Sequence, residues 1–299
     1  MASAMVLCAG MGTRLRPLTD ELPKPLVPLG DRPLLAHVAG RLRAAGFTRA
    51  VINTHHLSEA FASHLAEMPL DLQLVHEPVI RGTAGGVAGA RDLLSSDPVL
   101  VHNGDILADP PINEVLASVG DGMCLVVAPR PAGQGSIGLG ADREVVRLRG
   151  EVFGREIAGG DYVGVAALGS RCLSELPERG CLIGDWALPE LRRGGRLSAV
   201  ATAAEWTDAG DPASYLSANL HWLQTRRGSG SVAWIGPDAT VDRSVSLDRS
   251  IVGRGARVTG EGCLRRCVVW PGAVARAPLA NSIVSTRGIV VPVREGRAV

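Results

Sequence analysis

Residues 7–28, LCAGMGTRLRPLTDELPKPLVP, place a glycine-rich loop directly after a short apolar strand predicted at residues 4–8. Glycines have no Cβ atom, so their backbone N–H groups can close around phosphate oxygens. The loop lacks the Gly-Lys-Ser/Thr ending of a Walker A loop. Arg14 also stands near the position where the dinucleotide-binding fingerprint needs a third small residue. The stretch therefore predicts an α/β fold with a phosphate-binding loop of another type.

The loop carries two cations, Arg14 and Lys24. Lys24 lies between Pro23 and Pro25, and the backbone restrictions at and before proline predict a stiff extended segment there. Two cations beside a phosphate-sized loop suit a polyphosphate whose departing half develops negative charge.

Short apolar runs alternate with helical patterns in the first two thirds of the chain, a rhythm typical of a mostly parallel sheet covered on both faces. In the first helix, Pro33 is expected at a position that needs no N–H, with Leu34, Leu35, Val38 and Leu42 on one apolar stripe. The predicted strands are 4–8, 50–53, 72–75, 99–101, 125–128, 162–168 and 197–201, and the predicted helices are 33–45, 58–68 (capped by Ser58, with Phe61, Leu65 and Met68 on its apolar face) and 212–223.

The last quarter of the chain changes character. Residues 225–231, TRRGSGS, have the composition of a linker. Three similar segments follow, LDRSIVGRGARV, LRRCVVWPGAVA and LANSIVSTRGIV, beginning at Leu247, Leu264 and Leu279. In each segment a pair of β-branched residues recurs at an interval close to three hexapeptides, with small residues between the pairs. This spacing predicts a hexapeptide-repeat left-handed parallel β-helix, and a small β-sandwich is the alternative. We expect domains at 1–225 and 232–299, joined by a linker at 226–231.

Two aspartates are expected at the carboxyl ends of strands, where ligands bind in open α/β sheets. Asp105 ends the stretch VLVHNGD, and Asp208 lies in WTDAG. Mg²⁺ prefers one or two carboxylates together with substrate phosphates, so the pair predicts a magnesium site. The alternative for each is a turn aspartate bonded to its own backbone. Asp211 precedes Pro212 and is expected to be a helix N-cap.

A further stretch, EPVIRGTAGG at residues 77–86, has small residues opening a helix, which would let the backbone approach a flat base. Glu77 lies five residues before Gly82, and a carboxylate could accept hydrogen bonds from guanine. Glu77 could equally be a surface charge that caps its own loop.

The phosphate loop with PKPLVP, followed in order by the stretches around Glu77, Asp105 and Asp208, resembles the signature of the sugar-1-phosphate nucleotidyltransferases over roughly residues 4–223. This resemblance implies a Rossmann-like α/β domain, catalytic roles for Arg14, Lys24 and Asp105, and Mg²⁺ held by Asp105 and Asp208. It implies nucleotide contacts at Leu7, Ala9, Gly10, Met11, Gly12, Thr13, Arg14, Lys24, Glu77, Gly82, Thr83 and Gly104, and sugar contacts at Gly138, Arg155, Asp161 and Gly164.

The sequence departs from the family pattern in the sugar pocket. Many members carry a Glu-Lys-Pro step where this chain has EVFGREIAGG at 151–160, and no lysine follows Lys24. Either Arg155 substitutes for it or the sugar phosphate is held otherwise. The tail resembles that of mannose-1-phosphate guanylyltransferases, which favours GTP and mannose-1-phosphate. Alternatives are uridylyl or thymidylyl transfer to another sugar phosphate, such as N-acetylmuramate-1-phosphate, and a catalytically silent regulatory subunit that binds nucleotide sugar.

Composition limits the partners. A net charge of +1 and only 3% aromatic residues disfavour a nucleic-acid binder. No apolar run approaches the roughly 20 residues that cross a bilayer, and no basic region precedes the apolar N-terminus, so we expect a cytoplasmic protein without membrane contact. The six cysteines are expected to be reduced thiols. Edges of the predicted β-helix favour a homo-oligomer, a dimer or larger.

Overall fold

A computed structural model describes residues 2–94, 97–202, 206–227 and 233–294. The strands are β1 (Ser3–Leu7), β2 (Pro28–Leu29), β3 (Arg32–Pro33), β4 (Arg49–Thr54), β5 (Asp71–His76), β6 (Val99–Asn103), β7 (Ile106–Leu107), β8 (Met123–Arg130), β9 (Ile137–Leu139), β10 (Val145–Leu148), β11 (Glu151–Val152), β12 (Ala158–Leu168), β13 (Ser198–Ala201), β14 (Thr207–Asp208), β15 (Ala233–Ile235), β16 (Thr240–Val241), β17 (Val245–Asp248), β18 (Ser250–Val252), β19 (Arg257–Val269), β20 (Val274–Val284) and β21 (Val290–Pro292). The α-helices are α1 (Leu34–Ala44), α2 (Glu59–His64), α3 (Gly82–Ala88), α4 (Ile112–Ala117), α5 (Ser170–Glu175), α6 (Leu188–Arg192) and α7 (Pro212–Arg227).

Residue contacts divide the chain into two compact units. The first contains Met1–Gly10 and Val38–Trp206, and the second contains Met11–His37 and Thr207–Val299. The predicted division into 1–225, 226–231 and 232–299 follows chain order and stays a prediction. Helix α7 includes residues 226 and 227 of the predicted linker, and residues 228–231 lie outside the described residues.

The first unit is built on a ten-stranded sheet. The strand order is β11-β10-β9-β12-β6-β1-β4-β5, with β8 paired to β12 and β13 paired to β8. Strands β6, β1, β4 and β5 are parallel neighbours, whereas β12 runs antiparallel to β6, β8 and β9. The α/β prediction is confirmed, with an antiparallel part that apolar periodicity did not distinguish. Apolar side chains of the strands pack with those of α3, α5 and α6 in one buried cluster on this sheet.

The predicted helices are confirmed in position and corrected at their ends. The apolar stripe of α1 is buried as expected. However, Pro33 precedes this helix and pairs with Pro28 in a two-residue ribbon, so it is not a helical residue. Ser58 makes no side-chain capping bond, and the helix that follows it changes to a 3₁₀ turn at Leu65–Glu67. Of the predicted apolar face of that helix, Phe61 alone is fully buried.

The second unit contains a parallel β-helix. Strands β15, β18, β19 and β20 stack in parallel register, with Ile251 opposite Val268 and Val268 opposite Ile283. These pairs reproduce the repeat spacing predicted from the sequence, so the β-helix is confirmed over the sandwich. The last strand, β21, runs antiparallel to β20. Helix α7 carries Leu223, which packs with Trp234 and Ile251 of the β-helix.

Candidate active site

In the first unit, the phosphate loop begins where β1 ends. The amide of Cys8 donates to the side-chain oxygen of Asn53 at 2.8 Å, and the amide of Gly104 donates to the carbonyl of Leu7 at 2.9 Å. A Cβ on Gly104 would lie 2.7 Å from the Cys8 sulfur, so only glycine fits this crossing. Ala9 is buried, whereas Gly10 is exposed and no heavy atom would lie within 4 Å of a Cβ placed there. Burial raises the pKa of the Cys8 thiol well above its usual value, which suits core packing rather than nucleophilic chemistry.

The rest of the loop, residues 11–27, lies in the second unit and consists mainly of single turns. Gly12 has a φ of 61°, and its carbonyl accepts a hydrogen bond from the Thr19 hydroxyl at 2.9 Å. A Cβ on Gly12 would lie 2.9 Å from the Thr19 methyl group. The left-handed backbone and the tight contact therefore both require glycine there. Met11 is half-buried, and Thr13 is exposed at the start of a 3₁₀ turn.

Lys24, Arg14 and Asp208 come together in this unit. The Nζ of Lys24 donates to Oδ1 of Asp208 at 3.0 Å, and a guanidinium nitrogen of Arg14 donates to Oδ2 at 3.3 Å. Lys24 is almost fully buried, whereas the Arg14 side chain is 68% exposed. The arrangement combines a fixed ammonium, a movable guanidinium and a carboxylate that touches both.

The backbone at Lys24 differs from the prediction. Pro23 is extended, but Lys24–Leu26 form one 3₁₀ turn, closed by bonds from the Leu26 amide to the Pro23 carbonyl and from the Val27 amide to the Lys24 carbonyl. The predicted extended segment at Lys24 is therefore wrong. Pro25 fixes its own φ at a value that a turn also accepts, and its missing N–H is not needed at the start of a helical turn.

Asp105 follows β6 in the first unit and is half-buried. Nearby, burial lowers the pKa of His102 to about 4, so this imidazole is neutral near pH 7. Across the described ranges, no three His, Cys, Asp or Glu side chains converge on a point that could hold a metal. Asp105, in the first unit, and Asp208, in the second, each carry the carboxylate oxygens that Mg²⁺ prefers as donors.

Asp211 is a helix cap, as predicted. Its carboxylate accepts hydrogen bonds from the amides of Ala213 and Ser214, both at 2.9 Å. These bonds, led by that from Ser214, lower the pKa of the Asp211 carboxyl below its ordinary value.

Glu77 is a buried junction between three segments of the first unit. One carboxylate oxygen accepts from the Asn53 amide group at 2.7 Å, and the other accepts from the Arg81 backbone amide at 3.0 Å. The side-chain oxygen of Asn53 in turn accepts a hydrogen bond from the Cys8 amide. The sequence analysis missed Asn53, although a polar residue near the end of an apolar strand was a usable signal.

The start of α3 packs tightly on a segment that sequence reasoning also missed. Gly82 has a φ of 78°, and a Cβ there would lie 2.4 Å from the Gly180 carbonyl oxygen. The Gly180 amide donates to the Arg81 carbonyl at 2.8 Å, and the Ala84 amide donates to the Gly180 carbonyl at 2.9 Å. The Thr83 hydroxyl oxygen accepts the Leu182 amide at 2.8 Å. Backbone hydrogen bonds with Gly180 therefore fix the start of α3.

The predicted sugar-binding residues lie on or near β9 and β12. Asp161 accepts hydrogen bonds from Arg130 at 2.8 Å and from the Ser136 amide at 3.2 Å. Gly164 has a φ of 71°, and a Cβ on it would lie 2.7 Å from the Asn103 side chain. Arg155 is exposed.

A second ion pair braces the same region. Arg147 donates to both carboxylate oxygens of Glu156, at 2.8 and 3.1 Å, and Glu156 also accepts the Gly133 amide at 2.7 Å. A Cβ on Gly138 would lie 2.4 Å from a Glu156 oxygen. Arg147 and Glu156 are nine residues apart, and no sequence pattern indicated that their side chains pair.

Comparisons with known proteins agree with this fold. A family model described as "Nucleotidyl transferase" matches residues 3–127, so this part of the chain is similar to nucleotidyltransferases. "Probable mannose-1-phosphate guanylyltransferase 1" of Oryza sativa subsp. japonica is 26% identical, over 98% of this chain and 96% of the relative. "Mannose-1-phosphate guanylyltransferase catalytic subunit beta" of Xenopus tropicalis is 30% identical, over 75% of this chain and 65% of the relative. A crystal structure of HddC from Yersinia pseudotuberculosis superposes with a TM-score of 0.63 at 20% identity, covering 74% of this chain and all of that one.

The chain belongs to the sugar-1-phosphate nucleotidyltransferase family. A nucleoside triphosphate and a sugar-1-phosphate are the substrates that fit this family. In the part of the chain that the structure describes, no helix is long and apolar enough to cross a membrane.

Proposed function

We propose that this enzyme transfers a guanylyl group from GTP to mannose-1-phosphate, giving GDP-mannose and pyrophosphate. The observation that carries the choice of substrates is the similarity to mannose-1-phosphate guanylyltransferases over 98% of the chain, β-helix included. We also propose that it works as a cytoplasmic homo-oligomer.

The proposed reaction needs positioning and charge neutralisation more than proton transfer. An oxygen of the sugar phosphate, already anionic near neutral pH, attacks the α-phosphorus. The bond from that phosphorus to the bridging oxygen breaks, and pyrophosphate leaves with the electron pair. Lys24 and Arg14 would neutralise the departing phosphates, because a carboxylate already holds both cations beside the loop. The glycine-rich segment from Leu7 to Thr13 would bind the triphosphate through its backbone amides.

Asp105 and Asp208 would hold Mg²⁺, which when bound neutralises phosphate charge. The base would lie against Glu77, Gly82 and Thr83. The sugar would lie near Gly138, Asp161 and Gly164, with Arg155 as the exposed cation nearest in sequence to the missing lysine.

A second candidate is uridylyl or thymidylyl transfer to another sugar phosphate. It is favoured by the burial of Glu77, because a carboxylate that is 2% exposed and bonded to Asn53 and to the Arg81 amide is poorly placed to read guanine. A silent regulatory subunit is disfavoured by the retained contacts among Arg14, Lys24 and Asp208.

The test is pyrophosphate release with Mg²⁺, measured for each nucleoside triphosphate against mannose-, glucose-, N-acetylglucosamine- and N-acetylmuramate-1-phosphate. We expect a signal with GTP and mannose-1-phosphate that is lost in Asp105→Ala. The matched control is Asp109→Ala, since Asp109 is exposed and its carboxylate lies 3.9 Å from Arg41 in a surface ion pair. A signal confined to another pair would overturn the choice of substrates, and silence with every pair would favour the regulatory subunit.

A further inference from the structure

The phosphate-loop segment has little regular structure of its own. Between Met11 and His37, the segment forms three single 3₁₀ turns, the two-residue ribbon of β2 and β3 and the first turn of α1. Single turns are weak in isolation, so contacts from elsewhere must fix such a segment. Its compact unit supplies these contacts from α7 and the β-helix.

The first contact is a relay of two buried side chains. The indole N–H of Trp270, in the β-helix, donates to the Tyr215 hydroxyl oxygen at 3.0 Å. The Tyr215 hydroxyl, on α7, donates in turn to the Pro28 carbonyl. Both side chains have no exposed surface, and burial raises the pKa of Tyr215, so its hydroxyl stays a donor at all working pH values. Trp270 is therefore joined to a residue four positions after Lys24.

A second contact is made at Gly30, two residues after Pro28. The Gly30 amide donates to the Asn219 side-chain oxygen at 2.9 Å. Gly30 has a φ of 61°, and a Cβ there would lie 2.1 Å from the Trp222 ring. Trp222 itself packs edge-to-face on Trp234 of the β-helix, with ring centroids 5.7 Å apart.

A third contact holds the other side of Lys24. The Glu21 carboxylate accepts the backbone amide of Arg287, which lies in the turn between β20 and β21, at 3.1 Å. The β-helix thus bonds to the segment three residues before Lys24, and through α7 to the segment four residues after it. Lys24 is almost fully buried and its ammonium donates to Asp208, so the position of its charge depends on the backbone turn that carries the side chain.

We propose that the β-helix acts as a brace for the catalytic cation, with Trp270 and Tyr215 as positioning residues that hold the Lys24 turn in place through Pro28. This role rests on the proposed function only in that Lys24 contacts the triphosphate. It gives the tail a part in nucleotide binding and turnover by the same chain, in addition to any part in assembly.

The test compares Trp270→Phe, Tyr215→Phe and the double variant with the control Ser250→Ala. Ser250 is buried in the β-helix, where its hydroxyl donates to the Leu264 carbonyl and accepts the Cys267 amide. Its removal should lower the stability of the β-helix without touching the relay.

Hydrogen–deuterium exchange should rise about fivefold in peptides covering residues 18–30 for both aromatic variants, the effect of losing one buried hydrogen bond. Peptides covering β4 should not change, and Ser250→Ala should leave residues 18–30 protected. Because Tyr215→Phe removes the acceptor as well as the donor, the double variant should exchange no faster than Tyr215→Phe alone. Additive rises in exchange in the double variant, or an equal rise at residues 18–30 in Ser250→Ala, would overturn the proposed role of the β-helix.

Kinetics gives an independent result. We expect kcat/KM for the nucleotide to fall about tenfold in Trp270→Phe, in line with the loss of positioning at a charged group. The KM for the sugar phosphate should remain unchanged. A rise in the KM for the sugar phosphate as large as that in the KM for the nucleotide would contradict the proposal. If the wild type transferred no nucleotidyl group to any sugar phosphate, the proposed function would fail, while the exchange experiment would still decide the brace.

Discussion

The ammonium of Lys24 donates to Asp208 at 3.0 Å, and the same carboxylate accepts from Arg14 at 3.3 Å. A carboxylate placed between two cations keeps both of them near the phosphate loop. The two ends of this contact differ, because Lys24 is buried and Arg14 is largely exposed. Lys24 therefore offers a fixed charge, and in the proposed reaction Arg14 would move with the phosphates.

Replacing Lys24 by Met keeps most of the side-chain volume and removes the charge. We expect kcat to fall about 10²-fold, because a donor directed at developing phosphate charge is lost. Arg16→Met is the control, since Arg16 is an exposed cation of the same loop that forms a surface ion pair with Asp20. Steady-state pyrophosphate release measures both variants, and equal losses would show that overall loop charge matters rather than this ammonium.

Two glycines of the phosphate loop should respond differently to alanine. Gly12→Ala should lower the free energy of unfolding by about 1–2 kcal/mol, because an L-residue is strained at its left-handed backbone. Gly10→Ala should leave stability unchanged, since space is open around it. If the backbone at Gly10 approaches the phosphates as proposed, its variant should still bind nucleotide more weakly. Thermal unfolding and nucleotide titration separate these effects, and a stable Gly12→Ala would refute the strain.

The capped start of α7 predicts a pH-dependent contribution to stability. The folded state lowers the pKa of Asp211, so its stabilisation is complete above the ordinary aspartate pKa and is lost as pH falls through the lower folded value. Asp211→Ala should cost about 1 kcal/mol near pH 7 and progressively less in acid, below the ordinary aspartate pKa of about 4. Denaturant unfolding at several pH values measures this, with the exposed Asp142→Ala as control. A cost that stayed constant into acid would contradict the charged cap.

Local patterns were sufficient to predict the central strands of the sheet and the β-helix, but they did not predict the short strands β9, β10 and β11. Alternating apolar runs marked β1, β4, β5 and β6, and the repeat spacing from Leu247 to Leu279 matches the register of the stacked strands. These features are set by residues close in sequence, so periodicity alone determines them. The antiparallel pairing of β12 was not visible, because a buried strand has the same apolar run in either direction.

The candidate site divides in the same way. The cap at Asp211 follows from its neighbours, and the contacts of Lys24 and Arg14 with Asp208 join groups that the family resemblance had already singled out. The Trp270–Tyr215 relay could not be predicted, since it depends on how distant segments pack. The Arg147–Glu156 pair joins residues only nine apart, but no sequence pattern showed how the chain turns between them. The 3₁₀ turn at Lys24 was missed because proline restricts φ without deciding between extended and turn conformations.

Glu77 allows a direct test of base reading against loop positioning. In Glu77→Gln, one amide oxygen can still accept, but the new N–H₂ group faces a donor, either Asn53 or the Arg81 amide. If Glu77 mainly joins the loops, affinity should fall for every nucleotide by a similar factor, about tenfold for one unsatisfied buried donor. Titration with GTP, ATP and UTP measures the ratios, with the exposed Glu67→Gln as control. A selective loss of GTP binding would instead identify Glu77 as the residue that reads guanine, and would strengthen the choice of GTP as substrate.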